Sequence, residues 1–210
     1  MCGIFGFVSK DGSRFDMRAM KTIARTTMTR GPHAWGMAWV DARGVLRTYK
    51  QTGRIVDSLG LLAMAKDAVL LSGHCRWATH GDPAVNTNNH PHDGGDSWVV
   101  HNGVIHHYRD LVAKHRLRML TDCDSEVLGL MIAKFKGTPF NRAAKAVNEA
   151  IGSNPFSMMA LWPDRMVVAR ANHQPLSVGE TDRGYYLASL TNGLPGKVCE
   201  VENGTVTEYA

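Results

Sequence analysis

Position 2 holds a cysteine, and the apolar run Gly3-Ile4-Phe5-Gly6-Phe7-Val8 follows it at once. Cells commonly remove the initiator methionine before a residue as small as cysteine. Loss of Met1 would leave Cys2 carrying both a thiol and a free α-amine. A thiol is nucleophilic even from a small thiolate fraction. An α-amine titrates near ~7.7–8.0, close enough to neutrality to take a proton and return it. Nucleophile and base would then share one residue, as in catalysts that begin with threonine. The competing reading is a buried structural cysteine.

Three further clusters bear on that chemistry. Gly73-His74-Cys75-Arg76-Trp77-Ala78-Thr79-His80-Gly81 is the densest polar group in apolar surroundings, placed where a strand runs into a long loop. Arg76 can fork two hydrogen bonds onto a carboxylate, with Thr79 and the His80–Gly81 backbone adding donors; the alternative is a surface arginine beside a core Trp77. His101-Asn102-Gly103-Val104-Ile105 ends the next strand. The Asn102 amide and the Gly103 N–H would make a two-donor oxyanion hole, or Asn102-Gly103 is merely a tight turn. Asp122-Cys123-Asp124-Ser125-Glu126 opens a helix. Asp122 and Ser125 read as its caps, while Asp124 is the carboxylate best placed for a ligand ammonium. His90, His92, His101, His106 and His107 lie close together, but no spacing matches a zinc signature, so neither metal nor cofactor is expected.

The elements that must position these groups follow from pattern. Residues 2–8 read as a strand, and Met17, Met20, Ile23, Ala24 and Thr27 recur at helical spacing until Gly31-Pro32. Residues 34–40 and 45–51 form a hairpin around Asp41-Ala42-Arg43-Gly44, a short helix spans 57–66, and a strand spans 68–74. Gly81 to Ser97 has no period; a loop that long is usually functional or disordered. Strand 97–101 precedes helices near 106–115, 124–135 and 139–152, and short strands follow from 157. Asn203-Gly204 predicts a hairpin between Val198–Glu202 and Thr205–Tyr209. No repeat, low-complexity tract or linker interrupts the 210 residues, so a single α+β domain over 1–210 is expected.

Composition is ordinary for a globular chain, with 44% apolar and 20% charged residues. The net charge of +5 permits an anionic partner, but no dense Lys/Arg run with interleaved aromatics points to nucleic acid. No apolar stretch reaches a membrane span, and the first strand has no basic region ahead of it, so no signal peptide is read. Cys2, Cys75, Cys123 and Cys199 form no C-x-x-C pair, which argues against a zinc ribbon or dithiol site; reduced thiols in a cytoplasm are expected.

Taken in order, the stretches Met1–Phe7, Arg30–Gly36, Gly73–Gly81, His90–His92, Val99–Ile105 and Asp124–Val127 resemble the class II glutamine amidotransferase domain, an N-terminal nucleophile glutaminase. Arg170–Leu176 and Leu187-Ala188-Ser189 give a weaker late echo. The resemblance implies a four-layer α/β/β/α sandwich of two mainly antiparallel sheets. It implies Cys2 as nucleophile with its own α-amine as base, and Asn102 and Gly103 as the oxyanion hole. Arg76 would hold the α-carboxylate of L-glutamine with the Thr79–His80 segment, Asp124 the α-ammonium, and Trp77 the pocket wall. The chain ends where a synthase or transferase domain would begin, so a separate ammonia-accepting synthetase or transferase is expected. Two alternatives stand beside this: a γ-glutamyl amide hydrolase on the same fold, and a non-catalytic binding domain. Two departures are noted. Cys75 stands where Thr or Ser is common, which would put a second thiol near the pocket, or else a buried spectator; Trp35 stands where small residues are common, which would reshape the entrance.

Overall fold

The computed structural model describes all 210 residues. The first strand, β1 (Gly3–Ser9), is apolar on both faces because both are covered. Phe5 and Phe7 point outward under α1 (Met17–Met28), and Ile4 and Val8 point inward at a second sheet. The Asp16 carboxylate caps α1 by accepting from the Ala19 N–H at 2.8 Å, and Met20, Ile23, Ala24 and Thr27 bury one face. The hairpin of β2 (Ala34–Asp41) and β3 (Leu46–Thr52) forms as its sequence indicates, with the Asp41 carboxylate accepting from the Arg43 and Val45 N–H groups.

The short helix expected over 57–66 forms as a 3-10 segment, Ile55–Ala65. Its turn breaks at Ser58, whose hydroxyl accepts from Trp35 Nε1 and Gln51 Nε2, both at 3.0 Å. Trp35 therefore lies buried beneath this segment, away from any entrance. β4 (Ala68–Arg76) follows. The 81–97 stretch is ordered, with a 3-10 turn at Asn86–Asn88 and the two-residue β5 (His92–Asp93). β6 (Trp98–Gly103), α2 (Tyr108–His115), α3 (Glu126–Lys134), α4 (Pro139–Ala150), β7 (Phe156–Leu161) and β8 (Met166–Ala171) come next. The chain closes with β9 (Ser177–Glu180), β10 (Gly184–Ala188), β11 (Lys197–Glu200) and β12 (Thr205–Tyr209).

The strands make two sheets with every pairing antiparallel, in the orders β11-β9-β10-β1-β4-β2-β3 and β12-β8-β7-β6-β5. One apolar core lies between the sheets around Ile4, Val100, Met159 and Leu187. A second lies under α1 and the 3-10 segment, and a third under α2, α3 and α4. The result is the expected four-layer sandwich. No helix is long and apolar enough to cross a membrane.

Two local expectations fail. Asn203-Gly204 turns, with Gly204 at φ +80°, but β11 belongs to the larger sheet and β12 to the smaller. Buried Val201 donates its N–H to the Leu176 carbonyl, and Gly204 donates to the Arg170 carbonyl, so the segment crosses from sheet to sheet. Neither Asp122 nor Ser125 caps α3. The Ser125 hydroxyl lies 2.9 Å from His101 Nδ1, and the Glu126 carboxylate gathers the Leu120 and Thr121 N–H groups instead.

Candidate active site

The antiparallel register of β1 and β4 sets Gly3 opposite Cys75, which brings Cys2 beside Arg76 and Trp77. The Trp77 N–H donates to Cys2 Sγ at 3.2 Å, and the thiol donates to the Trp77 carbonyl at 3.3 Å. Arg30 Nε donates to the Cys2 carbonyl at 2.7 Å and fixes the chain just ahead of the strand. The Arg30–Gly36 motif thus reaches Cys2 through Arg30, to which spacing alone assigns no role. Gly31 allows the approach: a Cβ there would run into the Cys75 carbonyl and the Arg76 backbone. His33 then reaches the same turn, accepting from the Ala78 N–H at Nδ1 and lying against the Trp77 ring at 5.0 Å between centroids.

From the other sheet, β6 ends at Asn102 and Gly103 across from Cys2. Cys2, Trp77, Thr79, Asn102 and Gly103 together line a cavity of about 270 Å³, joined by Met1, Val104, His106, Asn154, Pro155 and Gln174. Asn102 is held on both sides. Its carbonyl accepts from Gln174 Nε2 at 3.0 Å, and its side-chain nitrogen lies 3.4 Å from Ser189 Oγ, which also accepts from the Ile4 N–H. Gln174 and Ser189 fall within the late motifs, but only the fold shows that they hold Asn102. Asn172, in left-handed backbone at φ 51°, donates its side-chain nitrogen to the Gly152 and Asn154 carbonyls and steadies the wall at 154–155.

Arg76, His80 and Asp124 stand behind this wall and not on it. Arg76 is buried, and its guanidinium donates to Asn89 Oδ1 at 2.7 Å, to the Gly81 carbonyl at 3.0 Å and to the His80 carbonyl. Asp124 accepts from the Ile105 N–H at 2.7 Å, and its other oxygen lies 3.7 Å from His80 Nδ1. Both charges reach the sulfur. Burial pushes the Cys2 thiol above its ordinary value; the Trp77 hydrogen bond, the chain's amino terminus and Arg76 pull it down, and Asp124 pushes it up. Cys75, by contrast, is fully buried among Phe5 and Trp35 in the outer core, where burial pushes its thiol far up. It is a spectator and lines no part of the cavity.

The comparisons agree with this architecture. No family model matches the chain. It is 31% identical to the glutamine--fructose-6-phosphate aminotransferase of Corynebacterium glutamicum over 209 residues, covering 92% of this chain and 33% of that protein. The corresponding enzyme of Clostridium tetani is 31% identical over 199 residues, with 90% and 31% covered. The chain thus spans about a third of the length of the curated relatives it matches. Among solved structures, the glutamine phosphoribosylpyrophosphate amidotransferase of B. subtilis superposes with a TM-score of 0.76 at 20% identity, covering 99% of this chain and 49% of that one. A glutamine aminotransferase class-II domain protein from Silicibacter pomeroyi gives 0.66 at 15% identity, with 99% and 94% covered. The four-layer sandwich is therefore the fold of these amidotransferase structures. The chain belongs to the class II glutamine amidotransferase domains, an enzyme family.

Proposed function

We propose that residues 1–210 act as one unit that hydrolyses the side-chain amide of L-glutamine through a Cys2 thioester, yielding glutamate and ammonia for a partner synthetase or transferase. The observation that carries this reading is the Cys2 sulfur at the edge of a cavity whose far wall presents Asn102 and Gly103. The α-amine uncovered by loss of Met1 takes the thiol proton, and the thiolate attacks the amide carbon. The Asn102 amide and the Gly103 N–H hold the resulting oxyanion. As the intermediate collapses, the α-ammonium gives its proton to the departing nitrogen, which leaves as ammonia. Water then attacks the thioester, the amine again takes the proton, and glutamate departs with the thiol restored.

Arg76 and Asp124 are assigned the α-carboxylate and α-ammonium of glutamine, with Trp77, Thr79 and His80 shaping that end of the pocket. For Arg76 this role requires exchange. Its terminal nitrogens are engaged by the His80 and Gly81 carbonyls. A carboxylate makes the stronger, charge-assisted fork, so substrate displaces the 80–81 segment. Arg76→Lys should then raise KM for glutamine about 10- to 100-fold, the value of one or two lost hydrogen bonds to a charged group. Steady-state kinetics measure it, and an unchanged KM removes Arg76 from binding. Gly103→Ala should lower kcat about 100-fold while sparing KM. Its Cβ would lie 2.5 Å from the Pro155 carbonyl and 2.8 Å from His101 Nε2, so the backbone must shift and carry the N–H with it.

Ammonia release from L-glutamine by the processed chain tests the proposal directly. Faster cleavage of larger γ-glutamyl amides would reassign the substrate, and no turnover of either would leave a binding domain. A reducing cytoplasm suits this chemistry, and all four cysteines are unpaired.

A further inference from the structure

Behind Arg76 lies a cluster that the proposed hydrolysis does not use. His74, His90, His92 and His101 are all buried. The His90 ring stacks on His74 at 3.8 Å between centroids, and His92 meets it edge-on at 4.5 Å. Neither ring nitrogen of His90 has a hydrogen-bond partner, and neither does His92 Nε2. A buried donor or acceptor without a partner costs about 1–3 kcal/mol, so such a group calls for an explanation. Cys123, also buried, faces the two rings from the turn before α3. One donor atom from each of His90, His92 and Cys123 lies within 4.8 Å of the others.

We propose that His90, His92 and Cys123 form a structural site for one thiophilic d10 metal ion, zinc(II) or copper(I). Two imidazoles and a thiol suit these metals and not magnesium or calcium, which require oxygen. The His90 and His92 rings already meet across Pro91, with centroids 4.5 Å apart. Bond lengths of about 2.0–2.3 Å put tetrahedral ligands roughly 3.3–3.8 Å apart, so closure needs side-chain shifts of about 1 Å. Binding releases the Cys123 proton to solvent, and the thiolate offsets one charge of the ion. The surrounding charges balance, with Lys50 and Arg76 on one side and Asp124 and Glu126 on the other. Lys50 Nζ also anchors the ligand segment, donating to the Asn89 carbonyl at 2.7 Å and the Pro91 carbonyl at 3.2 Å. The ion would fasten the loop that holds Asn89, a partner of Arg76, to the turn that holds Asp124. That consequence for glutamine binding rests on the proposed function; the metal site does not.

The test uses the full chain in a Cys2→Ala background, so that the nucleophile cannot bind metal. After chelation and reconstitution, elemental analysis should find about one zinc or copper per chain. Cobalt(II) should give a thiolate-to-metal charge-transfer band, and competition with a copper(I) chelator distinguishes the two ions. Cys123→Ser should lose the bound metal and the band, while Cys75→Ser and Cys199→Ser keep both. Absence of stoichiometric metal, or equal binding by Cys123→Ser, overturns the site. If Cys123→Ser does not fold, alkylation of the Cys2→Ala chain decides: metal must protect Cys123 from labelling, and equal labelling with and without metal overturns the proposal. Metal content and ammonia release are separate readouts, so either idea can fail alone.

Discussion

A chain that keeps Met1 will release ammonia from glutamine at least about 100-fold more slowly than the same chain after treatment with methionine aminopeptidase, and Cys2→Ala will be silent in both forms. The first effect is the loss of a general base, worth about 10²- to 10⁴-fold. With Met1 attached, the nitrogen of Cys2 is an amide that takes no proton. The thiol itself cannot compensate, because burial holds it above the ordinary range and leaves little thiolate near neutrality. Met1 also lines the cavity, so its departure opens the approach to the sulfur. The pH dependence separates the two forms. Alkylation of Cys2 in the Met1-bearing chain should rise only above the normal thiol range. In the processed chain, kcat/KM should instead rise through the α-amine range near ~7.7–8.0. Intact mass establishes which form is present. Equal rates in the two forms would remove the α-amine from the mechanism. Cys2→Ala should fold normally, since the sulfur bonds only to the backbone of Trp77.

What could be read beforehand divides along physical lines. The strand at residues 3–9, the 34–52 hairpin and helices α1 and α4 announce themselves through local period, caps and turns. Cys2, Asn102, Gly103, Trp77 and Thr79 stand out by residue type beside strand ends, and the fold brings them to one cavity. Other features depend on distant partners. Asn203-Gly204 turns as its residues dictate, yet the strands it joins pair in different sheets because Val201 and Gly204 bond to Leu176 and Arg170. Ser125 looks like a helix cap until His101 arrives from β6. Arg76 and Asp124 have the right charges, but only the fold shows them engaged behind the wall. His90, His92 and His101 lie close in sequence without matching a metal signature, and spacing gave no hint of Cys123, which reaches them across thirty residues of chain.

Acid will begin to destabilise this protein before most of its carboxylates titrate. His74 Nε2 lies 3.1 Å from the His101 carbonyl and fills the donor role there, leaving Nδ1 without a partner. His101 Nδ1 lies 2.9 Å from Ser125 Oγ, and its Nε2 has none. A second proton on either ring would create a buried N–H with no acceptor. Burial, with Arg76 and His101 adding to it, lowers His74 to about 3. Burial lowers His101 to about 4, with Asp124 opposing. An unfolded histidine titrates near ~6.5. The unfolded chain therefore binds more protons than the folded one as pH falls below that value. Stability is full above about pH 6.5 and drains away down to about pH 3–4. Each neutral histidine contributes a slope of about 1.36 kcal/mol per pH unit within the window. Between about pH 7.5 and 4.5 the pair removes roughly 5 kcal/mol, which lowers Tm by some 10–20 °C for a chain of this size. Urea titrations of chelator-treated protein between about pH 6 and 5, where most carboxylates stay ionised, isolate the histidine term. A slope approaching two protons per chain from this pair is the expected result, with buried His90 and His92 adding to it. A flat line there would mean that the folded protein accepts these protons, and that the two rings are not held neutral by their surroundings.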